Sequence, residues 1–239
     1  MCTVTWVHES EGYHLLSNRD EKRTRGIASA PSLHRCGGVR YLAPVDPDFG
    51  GTWIAANEYG LALCLLNGDR APHPTRPRLS RGVLIPDVIW AHSLDDCMFL
   101  LSQTDLEPYA PFSLAMLEPG IPAMVARWNG RTLSFSPGDA QVPLTSSSYD
   151  PNGVRRVRVD EFTRRSVASE RVDGASLYWF HSSHGRSPDA YSTCMHREDA
   201  ETVSFSWVIV TRQEVRFLYS PAPPCRCVPT QQEILARGA

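Results

Sequence analysis

The first residues of the chain alternate between apolar and polar positions in a way that predicts a β-hairpin. Residues 3–8 are rich in β-branched and aromatic side chains, residues 9–12 favour a turn, and residues 13–17 supply the returning strand. Because the two strands have similar lengths, the hairpin returns the chain to its start. We therefore expect the polar tetrapeptide Asn18-Arg19-Asp20-Glu21, as a loop just beyond the second strand, to lie near residue 2.

The same alternation predicts further strands, several of them joined as hairpins. These strands are expected at residues 52–56, 61–66, 112–118, 122–128, 131–136, 202–210 and 214–219. Residues 57–60 supply the turn of one hairpin, and Asn129-Gly130 is typical of the tight turn of another.

Helical spacing of apolar residues replaces the alternation in three segments, and helices are expected there, at residues 80–91, 93–103 and 151–169. The proline-containing stretch 69–79 indicates an irregular loop, and the tail 221–239 indicates a Pro-rich stretch followed by one short helix. Since the sequence contains no internal repeat and no low-complexity linker, we predict a single domain over residues 1–239.

Composition narrows the class of protein. Of the 239 residues, 42% are hydrophobic and 21% charged, which is typical of a globular protein with a substantial core. The net charge of −2 with scattered arginines argues against a nucleic-acid binder. No run approaches the ~20 apolar residues of a transmembrane helix. Early acidic residues argue against a signal peptide, so a cytoplasmic location is expected, where the seven cysteines would be mostly free thiols.

Cys2 is the first candidate for chemistry. Removal of Met1 is expected because the second residue is small, and it would leave a thiol and an α-amine on one residue. The amine ordinarily titrates near ~7.7–8.0 and the thiol near ~8.5, so the amine can act as the base for the thiol. A cysteine also occurs at position 2 by chance, because its reactivity depends on its surroundings.

Three polar residues extend this candidate site. The carboxylate of Asp20 can orient the α-amine, and the guanidinium of Arg19 can stabilise a thiolate or hold a substrate carbonyl or carboxylate. Asn67, at the end of a predicted strand, can donate its amide to an oxyanion, a contribution of about 3 kcal/mol in acyl-transfer enzymes. The alternative for both segments is an ordinary solvated turn, with Glu21 as an ion-pair partner of a nearby arginine.

The histidines and later cysteines give a weaker indication. The side chains that offer metal ligands are His181, His184, His196, Cys194, Cys225 and Cys227. Their spacings fit no common zinc pattern, so we expect no metal and partly polar core or pocket positions for the histidines. His184, followed by glycine, is placed at the mouth of the pocket.

The motifs together resemble a known family. The start Met-Cys-Thr, the tetrapeptide at 18–21, Gly-Gly-Thr-Trp at 50–53 and the strand ending Leu-Leu-Asn at 67 resemble the NRDE family, that of transport and Golgi organisation protein 2 and its bacterial relatives. The resemblance continues through residues 144–148 and 194–200. This family is similar in turn to the cysteine N-terminal-nucleophile (Ntn) hydrolases of the penicillin V acylase, bile-salt hydrolase and acid ceramidase group. It implies an α+β fold, a four-layer αββα sandwich of two mostly antiparallel sheets flanked by helices.

The resemblance also implies roles for particular residues. It makes Cys2 the nucleophile, Arg19 and Asp20 the pair that flanks it, Asn67 the oxyanion-hole asparagine and, by a weaker match, Arg197 the late active-site arginine.

The chain departs from its relatives at one position. Many relatives have Leu-Ser-Asn-Ser where this chain has Thr145-Ser146-Ser147-Ser148, so that Ser146 replaces a candidate second asparagine with a donor of shorter reach. Substrate contacts are expected from Asn18, Glu21, Ser146 and His184.

Two functions follow as hypotheses. The first is hydrolysis of a non-peptide carbon–nitrogen (amide) bond of a small molecule through a thioester on Cys2, with no metal or organic cofactor. The second is a haem- or lipid-binding or trafficking protein that keeps the Ntn fold, because some members of the resembled family are linked to such ligands. Cys2, the histidines and an apolar pocket are the possible haem contacts, although the sequence lacks a Cys-x-x-Cys-His motif. A protein with the fold and no surviving activity is the third possibility.

Overall fold

The computed structural model describes residues 2–68, 79–168 and 171–238. Met1, most of the predicted loop at 69–79 and the last residue of the predicted helix at 151–169 lie outside this range. The strands are β1 (Cys2–Glu9), β2 (Gly12–Lys22), β3 (Ser32–Cys36), β4 (Val39–Ala43), β5 (Ile54–Asn57), β6 (Ala62–Asn67), β7 (Phe112–Leu117), β8 (Met124–Trp128), β9 (Leu133–Pro137), β10 (Leu144–Ser146), β11 (Ala200–Val210), β12 (Glu214–Ser220) and β13 (Gln231–Ala236). The α-helices are α1 (Leu84–Val88), α2 (Leu94–Gln103), α3 (Pro151–Ala168) and α4 (Gly174–His181), and short 3₁₀ turns lie at Arg81–Val83 and Asp139–Gln141.

Two antiparallel sheets form the centre of the molecule. In the described part of the chain, the first sheet has the order β10-β1-β2-β11-β12-β13. The second is a meander from β3 to β9 in which every strand pairs with its neighbours in sequence. The connection between β6 and β7 contains α1 and α2. The first sheet, by contrast, joins the N-terminal hairpin to strands from the last hundred residues.

The sheets pack face to face, and helices cover both outer surfaces. Between the sheets lie apolar side chains from alternate positions of both, among them Val4, Leu15, Ile54 and Val125. Helices α1 and α2 bury their apolar sides on the outside of the second sheet, and α4 packs with α3 over the outside of the first. This order of layers, αββα, confirms the predicted fold class.

Three predicted elements differ in the structure. The helix expected at residues 80–91 is a 3₁₀ turn at Arg81–Val83 followed by the short α1. The tetrapeptide 18–21 is part of β2 and not a loop beyond it, because β11 pairs with this stretch and satisfies its backbone. The tail forms β13 in place of the predicted short helix, since the exposed edge of β12 offers it a complete ladder of partners. In the part of the chain that the structure describes, no helix combines the length and apolar character needed to span a bilayer.

Candidate active site

The register of the N-terminal hairpin fixes the position of Cys2. Cys2 lies opposite Arg19 on one side and opposite Ser146 of β10 on the other. Residues that face each other across an antiparallel pair project from the same surface of the sheet. Cys2 and Arg19 therefore point together toward the second sheet, and the predicted proximity of Cys2 to the segment 18–21 is confirmed.

A cavity of about 570 Å³ opens at this point between the sheets. Four of the expected site residues line it: Cys2, Arg19, Glu21 and Asn67. The remaining wall combines apolar side chains, including Trp53, with further charged groups. The wall is formed where Gly51 meets Gly82, since a Cβ on Gly51 would lie 2.5 Å from the Gly82 carbonyl carbon. This close approach explains a glycine in the Gly-Gly-Thr-Trp motif.

Arg19 is held rigidly in the cavity wall. Its guanidinium lies 4.4 Å from the centre of the Trp53 ring and donates to Asp46 Oδ2 at 2.5 Å. Arg25 donates to the same carboxylate oxygen at 2.7 Å. Although burial raises the pKa of Asp46, hydrogen bonds and the charges of both arginines outweigh it and lower that pKa. Asp46 thus holds both guanidiniums in the wall beside Cys2, and Asp48, 3.1 Å from Arg25 Nε, pairs with the second of them.

Arg81 adds a second positive group that the sequence did not reveal. It comes from the 3₁₀ turn before α1, lines the same cavity, and donates to the Pro111 carbonyl at 2.9 Å. The sequence shows one arginine among several in a proline- and arginine-rich stretch, so that only the folded structure distinguishes Arg81 from its neighbours. Together with Arg19, it makes the cavity suitable for a substrate with an anionic or strongly polar group.

The thiol of Cys2 is not preformed as a thiolate. Burial raises its pKa, while positive charge at the chain start and a hydrogen bond from the Asp20 backbone oppose this increase. At neutral pH the thiol therefore holds its proton, and attack on a substrate requires a base within reach. The Cys2 backbone nitrogen donates to Ser146 Oγ at 3.1 Å. The hydroxyl of Ser146 thus lies at the atom that becomes the α-amine if Met1 is removed.

Asp20 lies behind Cys2, on the face of β2 that looks toward the helices. It is fully buried, and its Oδ1 accepts a hydrogen bond of 2.6 Å from Thr202 Oγ1. Its Oδ2 lies 3.4 Å from Nη2 of Arg158, which is itself fully buried and also donates to Thr3 Oγ1. Burial raises the pKa of Asp20, and the charge of Arg158 acts in the opposite direction. Arg158 is thus the counter-ion of Asp20.

Sequence reasoning missed Arg158 because a buried arginine breaks the apolar pattern of a helix. Val157, which fits an apolar helical spacing with Val154, is 37% exposed. The buried side chains described in α3 are those of Val154, Arg158 and Glu161, spaced four and three apart. Arg158 could have been identified because it lies four residues after Val154, on the same side of the helix. The buried carboxylate of Asp20 also requires a cationic partner.

Two predicted contacts lie away from the cavity. Asn18 neighbours Arg19 on the strand and so projects from the opposite face, where its amide donates to the carbonyls of His181 and Thr193 at 2.9 and 2.8 Å. Its expected substrate contact is therefore replaced by a structural one. His184 follows α4 and lies with Cys194, His196 and Cys225, and it is not among the residues that line the Cys2 cavity.

Arg197 lies in a neighbouring cleft of about 360 Å³, which shares Glu21, Asn67 and Arg81 with the cavity. The Arg197 guanidinium stacks 4.9 Å from the centre of the Tyr149 ring and pairs with Asp199 at 2.8 Å. It can meet a substrate that extends out of the cavity over Asn67, but it does not line the cavity around Cys2 itself.

Comparison with known proteins identifies a family and a shared fold. The profile of the family described as Transport and Golgi organisation 2 matches residues 1–137. Among solved structures, an N-acylethanolamine-hydrolyzing acid amidase ortholog from Caenorhabditis elegans is similar with a TM-score of 0.64 at 12% identity, covering 98% of this chain and all of that one. Penicillin V acylase from Agrobacterium tumefaciens gives 0.60 at 14% identity, covering 93% of this chain and 84% of the other.

A mutant of conjugated bile acid hydrolase from Clostridium perfringens gives a TM-score of 0.55 at 11% identity, covering 100% of this chain and 97% of that one. At such identities these likenesses establish the shared fold alone. No curated protein sequence gave a match.

Proposed function

We propose that this chain, which belongs to the Transport and Golgi organisation 2 family and has the Ntn-hydrolase fold, is a cysteine hydrolase of a linear amide bond in a small molecule. The observation that carries the proposal is the position of Cys2, whose thiol opens into a cavity of about 570 Å³ beside a fixed guanidinium. A thiol at a cavity wall, with its own α-nitrogen beside it, is the arrangement that amide cleavage by an N-terminal nucleophile requires.

The chemistry proceeds in two halves. The Cys2 sulfur attacks the amide carbonyl carbon as its proton passes to the α-amine, and the carbonyl oxygen becomes an oxyanion facing the Asn67 amide. The resulting α-ammonium then gives its proton to the leaving nitrogen, the carbon–nitrogen bond breaks, and an amine departs. A water molecule next attacks the thioester and gives one proton to the α-amine. The carbon–sulfur bond then breaks, a carboxylic acid departs, and the α-ammonium returns its proton to the sulfur.

The surroundings of Cys2 support an α-amine base over a preformed thiolate. Because burial raises the pKa of the thiol, proton transfer during attack is more favourable than prior ionisation. Ser146 Oγ, 3.1 Å from the Cys2 nitrogen, can accept a hydrogen bond from the amine and direct its lone pair toward sulfur. Asp20, neutralised in part by Arg158, supplies negative charge behind the same nitrogen without opening to solvent.

Hydrolysis is favoured over haem binding by the composition of the cavity. Among the described residues that line it, Cys2 is accompanied by arginines, carboxylates and apolar side chains, and no histidine contributes. Arg19 and Arg81 instead favour an acyl group or leaving group that carries a carboxylate or another anionic group.

Intact-mass spectrometry tests the proposal directly. The purified chain is first weighed, and a mass lower by one methionine is expected. It is then mixed with a panel of N-acyl amides and activated thioesters, and an acyl adduct that a peptide map assigns to Cys2 is expected. Cys36→Ala is the matched control, because Cys36 is a free, partly exposed thiol on β3. The proposal is wrong if Met1 is retained, or if Cys2→Ala hydrolyses the panel as fast as the unaltered chain does.

A further inference from the structure

Four side chains with metal-binding atoms meet between the end of α4 and the start of β11. His184, Cys194, His196 and Cys225 each offer one ligand atom, and these atoms all lie within 4.8 Å of one another. The four residues come from three segments of the chain, namely the loop after α4, the approach to β11 and the segment after β12. Their spacing in the sequence fits no common zinc pattern, which is why sequence reasoning expected no metal.

The geometry of the group is close to that of a tetrahedral zinc site. His196 Nε2 lies 3.7 Å from the Cys194 sulfur and 3.3 Å from the Cys225 sulfur. With Zn–S near 2.3 Å and Zn–N near 2.0–2.1 Å, the edges of a Cys₂His₂ tetrahedron are about 3.3–3.8 Å. The observed contacts already fall in this range, and the longest separation of 4.8 Å requires only a small contraction by side-chain rotation.

The imidazole rings have nitrogens that no other group in the described structure uses. The Nε2 atom of His184 is buried without a hydrogen-bond partner there. Its ring packs edge-on against that of His196, with centroids 5.1 Å apart and an interplanar angle of 73°. Burial of an unpartnered polar atom is unfavourable, and a metal ion would remove this cost.

His196 is oriented from behind by a carboxylate. Its Nε2 faces both sulfurs, while its Nδ1 lies 3.6 Å from Glu201 Oε2. The backbone bridge between His196 and Glu201 holds the two residues side by side. A carboxylate behind a ligating histidine is the usual second partner of zinc ligands, because it sets the tautomer and the ring orientation.

The backbone holds the three segments together without the metal. The Cys194 amide donates to the Ser183 carbonyl at 2.9 Å, which places Cys194 next to the His184 segment. The Tyr178 hydroxyl donates to the Pro224 carbonyl at 3.2 Å, which fixes the Cys225 segment against α4. The ligands are therefore brought into position by the fold.

We propose that His184, Cys194, His196 and Cys225 bind one structural zinc ion. Thiolate and imidazole ligands select zinc over magnesium or calcium, and four protein ligands leave no open position for catalysis. The ion closes the loop that contains Met195. The Met195 amide donates a hydrogen bond to Thr202 Oγ1 at 2.9 Å, and Thr202 Oγ1 in turn donates to Asp20. The ion thus stabilises the segment that faces Asp20.

The test measures metal content and ligand identity together. The untagged full chain is purified under reducing conditions and its metals are quantified by mass spectrometry, and about one zinc per chain is expected. Cys225→Ser is expected to lose most of this zinc. Cys227→Ser is the matched control, because the Cys227 sulfur donates to the Val228 carbonyl and lies outside the group. Cys2→Ser is expected to keep the zinc, so that this result is independent of the proposed hydrolysis.

Cobalt substitution keeps the test decisive if a variant folds poorly. The unaltered chain is stripped with a chelator and reloaded with Co²⁺, and the expected spectrum has thiolate-to-cobalt charge transfer with the visible bands of a tetrahedral site. The proposal is overturned if the native chain holds no zinc and gives no such spectrum, if Cys227→Ser loses metal as Cys225→Ser does, or if peptide mapping finds Cys194 and Cys225 joined as a disulfide.

Discussion

The most informative perturbation of the fold is the replacement His181→Gln. His181 ends α4, is fully buried, and lies against the rings of Phe180 and Phe205. Its Nε2 shares a hydrogen bond of 2.9 Å with Thr5 Oγ1 on β1. Burial, reinforced by the charge of Arg158, lowers the pKa of His181 to about 3. Glutamine places an amide where Nε2 lies and does not titrate.

The magnitude follows from the linkage between protonation and folding. In the unfolded chain the pKa of this histidine is about 6.5. Below this pH the unfolded state therefore binds a proton that the folded state does not bind. The contribution of the neutral histidine to stability is therefore fully present above about pH 6.5 and is lost as the pH falls toward 3. Between pH 7 and pH 5 the loss amounts to about 2 kcal/mol, and over the whole window to about 4–5 kcal/mol.

Urea unfolding at half-unit steps from pH 7 to pH 5 measures this loss. The unaltered chain is expected to lose about 2 kcal/mol more than His181→Gln over that interval, whatever the difference between them at pH 7. The carboxylates and the other histidines contribute equally to both chains. His8→Gln, which changes a partly exposed histidine, is the control and should keep the full slope. If His181→Gln and the unaltered chain have parallel profiles, His181 is not held neutral by burial and the reasoning is refuted.

Three further predictions concern the surroundings of the site and the second sheet. Arg158→Met leaves Asp20 buried without its cation and should lower the free energy of unfolding by about 3–5 kcal/mol. Adding Asp20→Asn should recover part of this loss. Additive effects of the two substitutions in a urea double-mutant cycle would contradict the pairing. Because burial raises the pKa of Cys2, its alkylation by iodoacetamide should reach half its maximal rate above pH ~8.5, and a midpoint below that of a free thiol would refute this. The Asn57 side chain makes four hydrogen bonds to backbone groups, so Asn57→Ala should destabilise the chain by about 3 kcal/mol or more in thermal or urea unfolding, and a loss under about 1 kcal/mol would count against it.

The sequence predicts those parts of the site that are determined locally. Cys2 and Arg19 are brought together by one hairpin, and their register follows from strand lengths counted from a single turn. Asn67 follows in the same way from the end of a recognisable strand. The resemblance to a known family supplied the layer order and the roles, which periodicity alone does not give.

The remaining features depend on tertiary contacts that have no local signal. Arg158 reaches Asp20 across 138 residues, and its helix gives no indication of the strand on which it packs. The ligand group of the proposed zinc site is similar, because Cys225 lies 29 residues from His196 and is brought to it only by the fold. A regular spacing of ligands in the sequence indicates a metal site built on one short motif. The lack of such a spacing is no evidence against a site assembled from three loops.

Side chains alternate along β2, so residues of the motif 18–21 project from two different faces of the strand. Arg19 and Glu21 project into the cavity with Cys2, whereas Asn18 and Asp20 project toward the helical layer, so neighbouring residues of one motif act in different environments. Because the period is two, a shift of β2 by one residue would exchange these environments and bury Arg19 against the helices. The pairing of β2 with β11 on its other side opposes such a shift. It follows that α3 holds Asp20 from behind the strand through Arg158, although no described residue of α3 or α4 lines the cavity around Cys2.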